Sequence, residues 1–166
     1  GGVSSYPYLS LEAHGKSRTV GQVMGAALMI RRSVFEEING FDERLFLYYE
    51  DVDLSARVNN LGYQSHYLKD AHVTHIGRVS SSQNTGVSLA LHIRSRVTYA
   101  GLHFGGLGLA SLAVASVAIE FPVRVLQAML CKGAVGLGGV LQAYRLLALN
   151  LFTGTALPKP GSGPRT

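Results

Sequence analysis

The 166-residue chain has little of several features that define common protein classes. Its only cysteine is Cys131, so no internal disulfide can form, and no Cys/His spacing resembles a zinc site. Charged residues make up 15% against 47% hydrophobic residues, which excludes a chain that is disordered as a whole. No apolar run cleanly reaches the about 20 residues that a helix needs to cross a bilayer. These absences favour a globular domain with a real core in a reducing compartment.

Acidic residues are almost absent from the second part of the chain. Residues 1–95 hold nine Lys/Arg and nine Asp/Glu, whereas residues 96–166 hold six Lys/Arg and only Glu120 as an acid, so the whole net charge of +5 lies there. These basic residues are interspersed with Leu, Ala, Val and Gly. That pattern favours an anionic membrane surface as partner over nucleic acid, whose binding patches are denser and more polar.

Hydrophobic patterning predicts the elements of the first part. The apolar run at residues 23–30 has the length of a buried strand. A short helix is expected next, because Ser33 and Glu36 have capping-box spacing and Gly40 has the position of a helix stop. Apolar residues at helical spacing predict a second helix over residues 51–60.

Further along, the pattern changes from alternating to helical. Alternation predicts two strands, over residues 63–68 and 71–76. Residues 86–104 carry an apolar stripe with basic residues beside it, which predicts a basic amphipathic helix. The uncharged or nearly uncharged runs 107–119 and 121–131 are each shorter than a span and predict two short interfacial or re-entrant helices.

A cluster of carboxylates directly follows the aromatic stretch "LFLYY" at residues 45–49. The simplest interpretation of Asp51 is structural, since a carboxylate in the first turn of a helix is favoured by the helix dipole. The neighbouring acid Glu50 and the tyrosine-rich approach instead favour a general base beside a pocket wall, because clustered carboxylates raise one another's pKa. Asp53 points away from Asp51 on a helix, so "DVD" is not interpreted as a metal-binding pair.

A second candidate site lies at the end of the predicted strand 71–76. His75 precedes a Gly/Ser-rich loop that contains Arg78. A solvated strand-end histidine is the simplest interpretation. The functional alternative is that His75 is one metal ligand, while Arg78 and the loop amides meet a diphosphate. His72 lies on the opposite strand face and is interpreted as structural.

The order of these pieces resembles a known enzyme family. The stretch "VMGAALMIRRSVFEEINGFDERLFLYYEDVDLSARVNNLGYQSHYLKDAHVTHIGRVSSS" is similar to the C-terminal half of the catalytic domain of inverting family-two glycosyltransferases, particularly the bacterial rhamnosyltransferase-like group. The pieces that carry the resemblance are "GA" in the first run, "RRSVFEEINGFDE", "YEDVDL" and the ending "HIGR". It covers about residues 20–95.

The resemblance implies an α/β fold of the Rossmann-like GT-A type, incomplete at its N-terminus and followed by apolar helices. Asp51 matches the general base that deprotonates the acceptor hydroxyl. The resemblance also implies that Glu50, Tyr49, Gly25 and Ala26 line the acceptor site. The family's nucleotide-binding half has no counterpart in this sequence, so the chain as given is expected to be insufficient for catalysis alone.

On the donor side, the resemblance implies that His75 helps to hold a divalent metal, Mg²⁺ or Mn²⁺, and that Arg78 meets the donor diphosphate. The implied activity is inverting sugar transfer of the hexosyltransferase type, in cell-wall or surface polysaccharide synthesis. The donor would be a nucleotide-diphosphate sugar and the acceptor a glycan or a lipid-linked glycan.

The sequence therefore predicts three segments: residues 1–95 as the acceptor-side half of a GT-A domain, 96–153 as amphipathic and apolar membrane-associating helices, and 154–166 as a disordered tail. The expected location is the cytoplasmic face of the cell membrane. The alternative function is a non-catalytic, membrane-associated interaction module. For the helices alone, the alternative is that they complete a soluble core.

Overall fold

The structure is a computed structural model that describes residues 15–75, 85–154 and 156–158. The chain divides into two compact units, the first ending at His75 and the second beginning at Ile76. The domain boundary predicted after residue 95 lies inside a helix of the second unit. Most of the predicted tail lies outside the described residues.

The first unit contains a small antiparallel sheet of two strands, β1 (Arg18–Val20) and β2 (Ser65–Tyr67). Their register pairs Arg18 with Tyr67 and Val20 with Ser65. β2 confirms the centre of the strand predicted over 63–68.

The strand predicted over residues 71–76 is wrong for its described part, because residues 71–75 form no strand. The preceding strand, β2, pairs with β1. The turn after β2 contacts the residue just before β1, since the backbone amide of Lys69 donates to Ser17 Oγ at 3.1 Å. Alternation of polar and apolar residues therefore predicted one of the two strands, β2, and was wrong for the described part of the other.

The buried strand predicted over residues 23–30 is also wrong. The amide of Ala27 donates to the carbonyl of Met24 at 3.3 Å, which closes a turn, and Met29 is fully exposed. A buried strand needs neighbours that satisfy its backbone on both sides. The described part of the first unit offers no strands other than β1 and β2, which pair with each other.

Two helices, α1 (Arg32–Glu37) and α2 (Glu50–Asn60), confirm the helices predicted here. Asn39 and Gly40 both have positive φ, so the predicted stop at Gly40 is correct. The predicted capping box does not form, because Glu36 accepts a hydrogen bond from Arg32 Nε at 2.7 Å instead.

The core of the first unit lies between these two helices. It consists of four buried residues, Val34, Ile38, Leu54 and Val58. Partly buried Leu28, Ile30 and Phe35 pack around them. Burying each such aliphatic side chain stabilises the fold by about 1.5–3 kcal/mol. This packing fixes α2, whose first turn carries the candidate site.

The second unit is built from one long succession of helical segments. They are α3 (Thr85–Ala115), a π-helical turn (Ser116–Glu120), α4 (Phe121–Gln127), a second π-helical turn (Ala128–Lys132) and α5 (Gly133–Thr153). α3 is interrupted at Gly105, whose φ of 71° and ψ of −167° are accessible mainly to glycine. The helix predicted over 86–104 is therefore confirmed up to this kink.

α3 and α5 pack closely against each other. A Cβ atom at Gly86 would clash with the side chain of Gln142, so the small residue permits this approach. Ala90 and Ala100 of α3 and Ala143 of α5 are completely buried. The helical C-terminal part expected from the sequence is thus present.

The two short helices predicted over 107–119 and 121–131 are joined into one helical stretch. The π-helical turn accommodates Pro122, since the amide of Phe121 donates back to the carbonyl of Ser116 just before the residue that lacks an N–H. By length and composition, Gly86–Cys131 is the one described helix that qualifies as able to cross a membrane. Only 6% of its most apolar window is buried within the structure, which argues against the role of an ordinary core helix.

Candidate functional site

The candidate site is built around the first turn of α2. Tyr48 and Tyr49, directly before the helix, both have φ of 66°, a left-handed conformation that is uncommon for residues other than glycine. Such a conformation costs on the order of 1–3 kcal/mol per residue and persists only where surrounding contacts impose it. The carbonyl of Tyr49 accepts the first helical hydrogen bond, from the amide of Asp53 at 2.9 Å. The left-handed backbone of Tyr48 and Tyr49 therefore sets the position of the first turn of α2, which carries Glu50 and Asp51.

Asp51 is held in one orientation by two backbone amides. Its Oδ2 accepts from the amide of Gly25 at 2.7 Å, and its Oδ1 accepts from the amide of Val52 at 2.8 Å. A Cβ atom at Gly25 would lie 3.3 Å from Asp51 Cβ, so glycine allows this approach. A carboxylate offers about four lone-pair sites. Asp51 is thus a fixed, half-buried carboxylate that can still accept another hydrogen bond.

Two more polar side chains of α2 extend this contact along the helix. Ser55 Oγ accepts from the amide of Val23 at 3.3 Å, and Asn59 Nδ2 donates to the carbonyl of Gly21 at 2.8 Å. With Asp51 they follow a four-residue spacing and share one helix face. This polar stripe was not predicted, although its four-residue spacing is visible in the sequence. Hydrogen bonds to this face of α2, rather than to a neighbouring strand, therefore hold the backbone of residues 21–25.

Glu50 lines a pocket of about 490 Å³. The pocket is lined by Phe41, Asp42, Glu43, Leu45, Phe46 and Glu50. Glu50 Oε2 is buried and has no hydrogen-bond partner among the described residues. Burial, with a smaller contribution from the Asp51 charge, raises the pKa of Glu50. An unpartnered polar atom beside aromatic side chains is typical of a ligand-binding site.

The pKa of a second carboxylate of this pocket, Asp42, is shifted in the opposite direction. The side chain of Arg44 donates hydrogen bonds to Asp42, with Nη2 to Oδ2 at 2.6 Å, and lowers the pKa of Asp42 to about 2. Asp42 therefore stays ionised at neutral pH, whereas Glu50 is shifted toward protonation. When two carboxylates in one pocket have different pKa values, one can act as a fixed charge and the other as a proton donor or acceptor.

Asp53 has a purely structural environment. It is 2% exposed and pairs with Arg57 of the next turn, with Arg57 Nη2 at 2.7 Å from Asp53 Oδ2. Arg57 Nη1 also donates to the carbonyl of Ile38 at 2.6 Å, which ties α2 to the end of α1. The carboxylate of Asp53 is thus engaged by the guanidinium of Arg57.

The other predicted site residues are exposed where the structure describes them. Ala26 lies in the exposed turn beside Gly25, and His75 is an exposed residue at the end of the first unit. Arg78 lies outside the described residues. In the part of the chain that the structure describes, no group of three or more His, Cys, Asp or Glu is arranged to hold a metal ion. The described residues therefore do not make a metal site by themselves.

Comparisons with known proteins agree with the resemblance in the first part of the chain. Residues 7–81 match the sequence model of a family described as the N-terminal domain of galactosyltransferase. The chain is 42% identical over 78 residues to an N-acetylglucosaminyl-diphospho-decaprenol L-rhamnosyltransferase of Mycobacterium tuberculosis, covering 47% of this chain and 25% of that protein. It is 31% identical over 75 residues to rhamnosyltransferase WbbL of Escherichia coli, covering 45% of this chain and 28% of that protein.

No solved structure matches the chain. The segment that matches the galactosyltransferase family model includes α1, α2 and the carboxylate site. More particularly, the predicted resemblance to rhamnosyltransferase-like glycosyltransferases is confirmed for this part of the chain. The chain matches about a quarter of the length of these curated relatives.

Proposed function

We propose that the first unit provides the acceptor side of an inverting glycosyltransferase of the GT-A type. The observation that carries this proposal is the pair of carboxylates at the start of α2: Asp51 is fixed by two backbone amides, and Glu50 has an unpartnered oxygen and lines a pocket. The similarity of this segment to rhamnosyltransferases supports a sugar-transfer role for the pair.

In the proposed reaction, Asp51 is the general base. It takes the proton of an acceptor hydroxyl while that oxygen forms a bond to the anomeric carbon and the bond from this carbon to the nucleotide diphosphate breaks. A positioned base contributes about 10²- to 10⁴-fold to such a step. The amides of Gly25 and Val52 orient the carboxylate and leave lone pairs for the acceptor proton.

Glu50 and the pocket are proposed to bind the acceptor sugar. Phe41 and Phe46 offer apolar faces to the C–H side of a sugar ring, and Glu50 Oε2 offers a hydrogen-bonding atom to a hydroxyl. Because its pKa is raised, Glu50 exchanges between donor and acceptor of a hydrogen bond at higher pH than an ordinary glutamate. Tyr49, whose carbonyl starts α2, and the turn at Gly25 and Ala26 complete the proposed acceptor side.

The proposed donor is a nucleotide-diphosphate sugar accompanied by Mg²⁺ or Mn²⁺, with His75 contributing one metal ligand and Arg78 meeting the diphosphate. Since the described residues do not form a metal site alone, the further ligands would come from elsewhere in the complete enzyme. The names of the relatives support a rhamnosyl donor and an acceptor linked through diphosphate to a polyprenol. The proposed location is the cytoplasmic face of the membrane, in cell-wall or surface polysaccharide synthesis.

A non-catalytic, membrane-associated interaction module is the second candidate. It is favoured by the long apolar helical stretch Gly86–Cys131, only 6% of whose most apolar window is buried within the structure. The two candidates predict different behaviour when the segment is placed in an active enzyme.

A segment exchange separates these candidates. Residues 7–81 would replace the matched segment of the Mycobacterium relative, and rhamnosyl transfer to a polyprenyl-diphosphate-linked acceptor would be measured. The enzyme proposal predicts a chimera that transfers sugar. A chimera that folds, as judged by circular dichroism, binds the nucleotide sugar and transfers nothing would favour the interaction module.

A further inference from the structure

The second unit holds a cluster of charged side chains among apolar helices. Arg96 of α3 donates to Ser116 Oγ at 2.7 Å and forms an ion pair with Glu120. Arg124 of α4 donates from Nε to Glu120 Oε1 at 2.7 Å. Tyr144 of α5 donates to the carbonyl of Ser116 at 2.8 Å. The cluster therefore joins all three helices of this unit.

The cluster has more positive charge than negative charge. Two guanidinium groups, Arg96 and Arg124, share the single carboxylate of Glu120, and arginine stays protonated under all ordinary conditions. In addition, Arg96 Nε is buried and has no hydrogen-bond partner among the described residues. Buried donors without partners are rare in folded proteins. The cluster thus carries one formal positive charge beyond that balanced by Glu120, and one buried N–H group without a partner among the described residues.

A pocket of about 250 Å³ adjoins this cluster. It is lined by Arg96, Leu112, Ala115, Ser116, Ile119 and Glu120. Ile119 and the neighbouring Val117 are each 65% exposed, so the polar end of the pocket is surrounded by apolar surface. This combination suits a ligand with an anionic group attached to an apolar chain, rather than a free anion.

We infer that this pocket binds the phosphate group of a lipid, with Arg96 as the principal hydrogen-bond donor. An incoming anion must compete with Glu120 for the guanidinium groups. Phosphate is suited to that competition because its several oxygens accept from the planar fork of arginine at two points. Charged residues within apolar, membrane-associated helices commonly mark functional positions. This inference goes beyond the proposed sugar transfer and does not depend on Asp51.

Binding of the full chain to vesicles tests the inference. One vesicle preparation contains phosphatidylcholine with phosphatidic acid, and the other contains phosphatidylcholine with oleic acid at the same negative surface charge. The measured quantity is the apparent affinity for the phosphatidic acid vesicles divided by that for the oleic acid vesicles. General attraction to an anionic surface cancels in this ratio. A charge-assisted hydrogen bond to phosphate predicts a ratio of about ten or more for the unmodified chain.

Arg94 provides a matched control, because it lies on the same helix and is exposed. Arg96→Gln is expected to bring the ratio close to one, whereas Arg94→Gln should leave it at about ten. If Arg96→Gln loses helical circular dichroism, the pair Arg96→Lys and Arg94→Lys replaces it. Lysine at position 96 keeps the positive charge and removes the planar guanidinium fork, so the ratio should again fall only for the Arg96 variant.

Two results would overturn the inference. One is a ratio near one for the unmodified chain. The other is a folded Arg96 variant that keeps the full preference for phosphatidic acid. Inorganic phosphate added to the phosphatidic acid vesicles is expected to compete poorly. Equally effective competition by inorganic phosphate would mean that the pocket binds a free anion and would contradict a lipid ligand.

Discussion

The two units use charged residues in different ways. In the first unit, each carboxylate at the start of α2 has a different environment. Asp53 is buried and forms an ion pair with Arg57, and Asp51 accepts hydrogen bonds from backbone amides. Glu50 has an oxygen without a partner among the described residues, beside a pocket. In the second unit, the single acid Glu120 is shared between Arg96 and Arg124. The first arrangement suits proton transfer and hydrogen bonding to a sugar. The second arrangement leaves positive charge available and suits an anion.

Breaking the ion pair between Asp53 and Arg57 should have the largest effect on stability. Asp53→Asn leaves the Arg57 guanidinium partly buried without its charge partner. Losing one member of a buried pair typically costs about 3–5 kcal/mol, and the partial exposure of Arg57 places the expected loss at the lower end, about 3 kcal/mol. Hydrogen exchange of the α2 backbone amides, followed by mass spectrometry, measures the loss directly in the first unit.

The pair Arg32 and Glu36 is a matched control, since it has the same four-residue spacing on α1 but is exposed. Glu36→Gln should change the stability of the first unit by less than about 0.5 kcal/mol. Equal effects of the two substitutions would show that Asp53 contributes no more than a surface ion pair.

The raised pKa of Glu50 predicts a smaller, pH-dependent effect. Because the pKa is higher in the folded state than in the unfolded state, the folded protein binds the proton more tightly. The charged form therefore destabilises the first unit at pH values above the folded pKa, and the penalty disappears as the pH falls below the ordinary glutamate value. Glu50→Gln should stabilise the unit at neutral pH and lose this advantage in acid.

Hydrogen exchange of the α2 amides at a series of pH values checks this effect. Glu43→Gln is the control, because Glu43 lines the same pocket but is exposed. A difference between Glu50→Gln and the unmodified chain that stays constant with pH would contradict the assignment of Glu50 as a buried carboxyl with an unpartnered oxygen.

Helices were predictable from the sequence because the apolar spacing that specifies them is local. α1, α2 and the first part of α3 all follow from that spacing. Strands were less predictable, since their partners lie far away in sequence: β2 pairs with β1, and residues 23–30 rest on a helix face instead of a sheet. That residues 107–131 form one helical stretch was not predictable either. The π-helical turn Ser116–Glu120 joins its two parts, and apolar periodicity does not reveal such a turn.

Part of the candidate site was predictable for a similar reason. Glu50 and Asp51 are adjacent in sequence and start a helix, so their pairing was visible from the sequence. The left-handed backbone of Tyr48 and Tyr49 was not visible, because their residue type disfavours it. In the second unit, Glu120 and Arg124 have helical spacing, but the contact from Arg96 required the chain to fold back.

The most direct test of the central claim is the transfer rate of the segment-exchange chimera carrying Asp51→Asn. Asn keeps the size of the side chain and removes its capacity to take a proton. At saturating donor, the turnover is expected to fall by about 10²- to 10⁴-fold with little change in donor binding. Asp70→Asn, at an exposed turn, should leave turnover unchanged. Near-full turnover of the Asp51 variant would contradict the role of Asp51 as the general base.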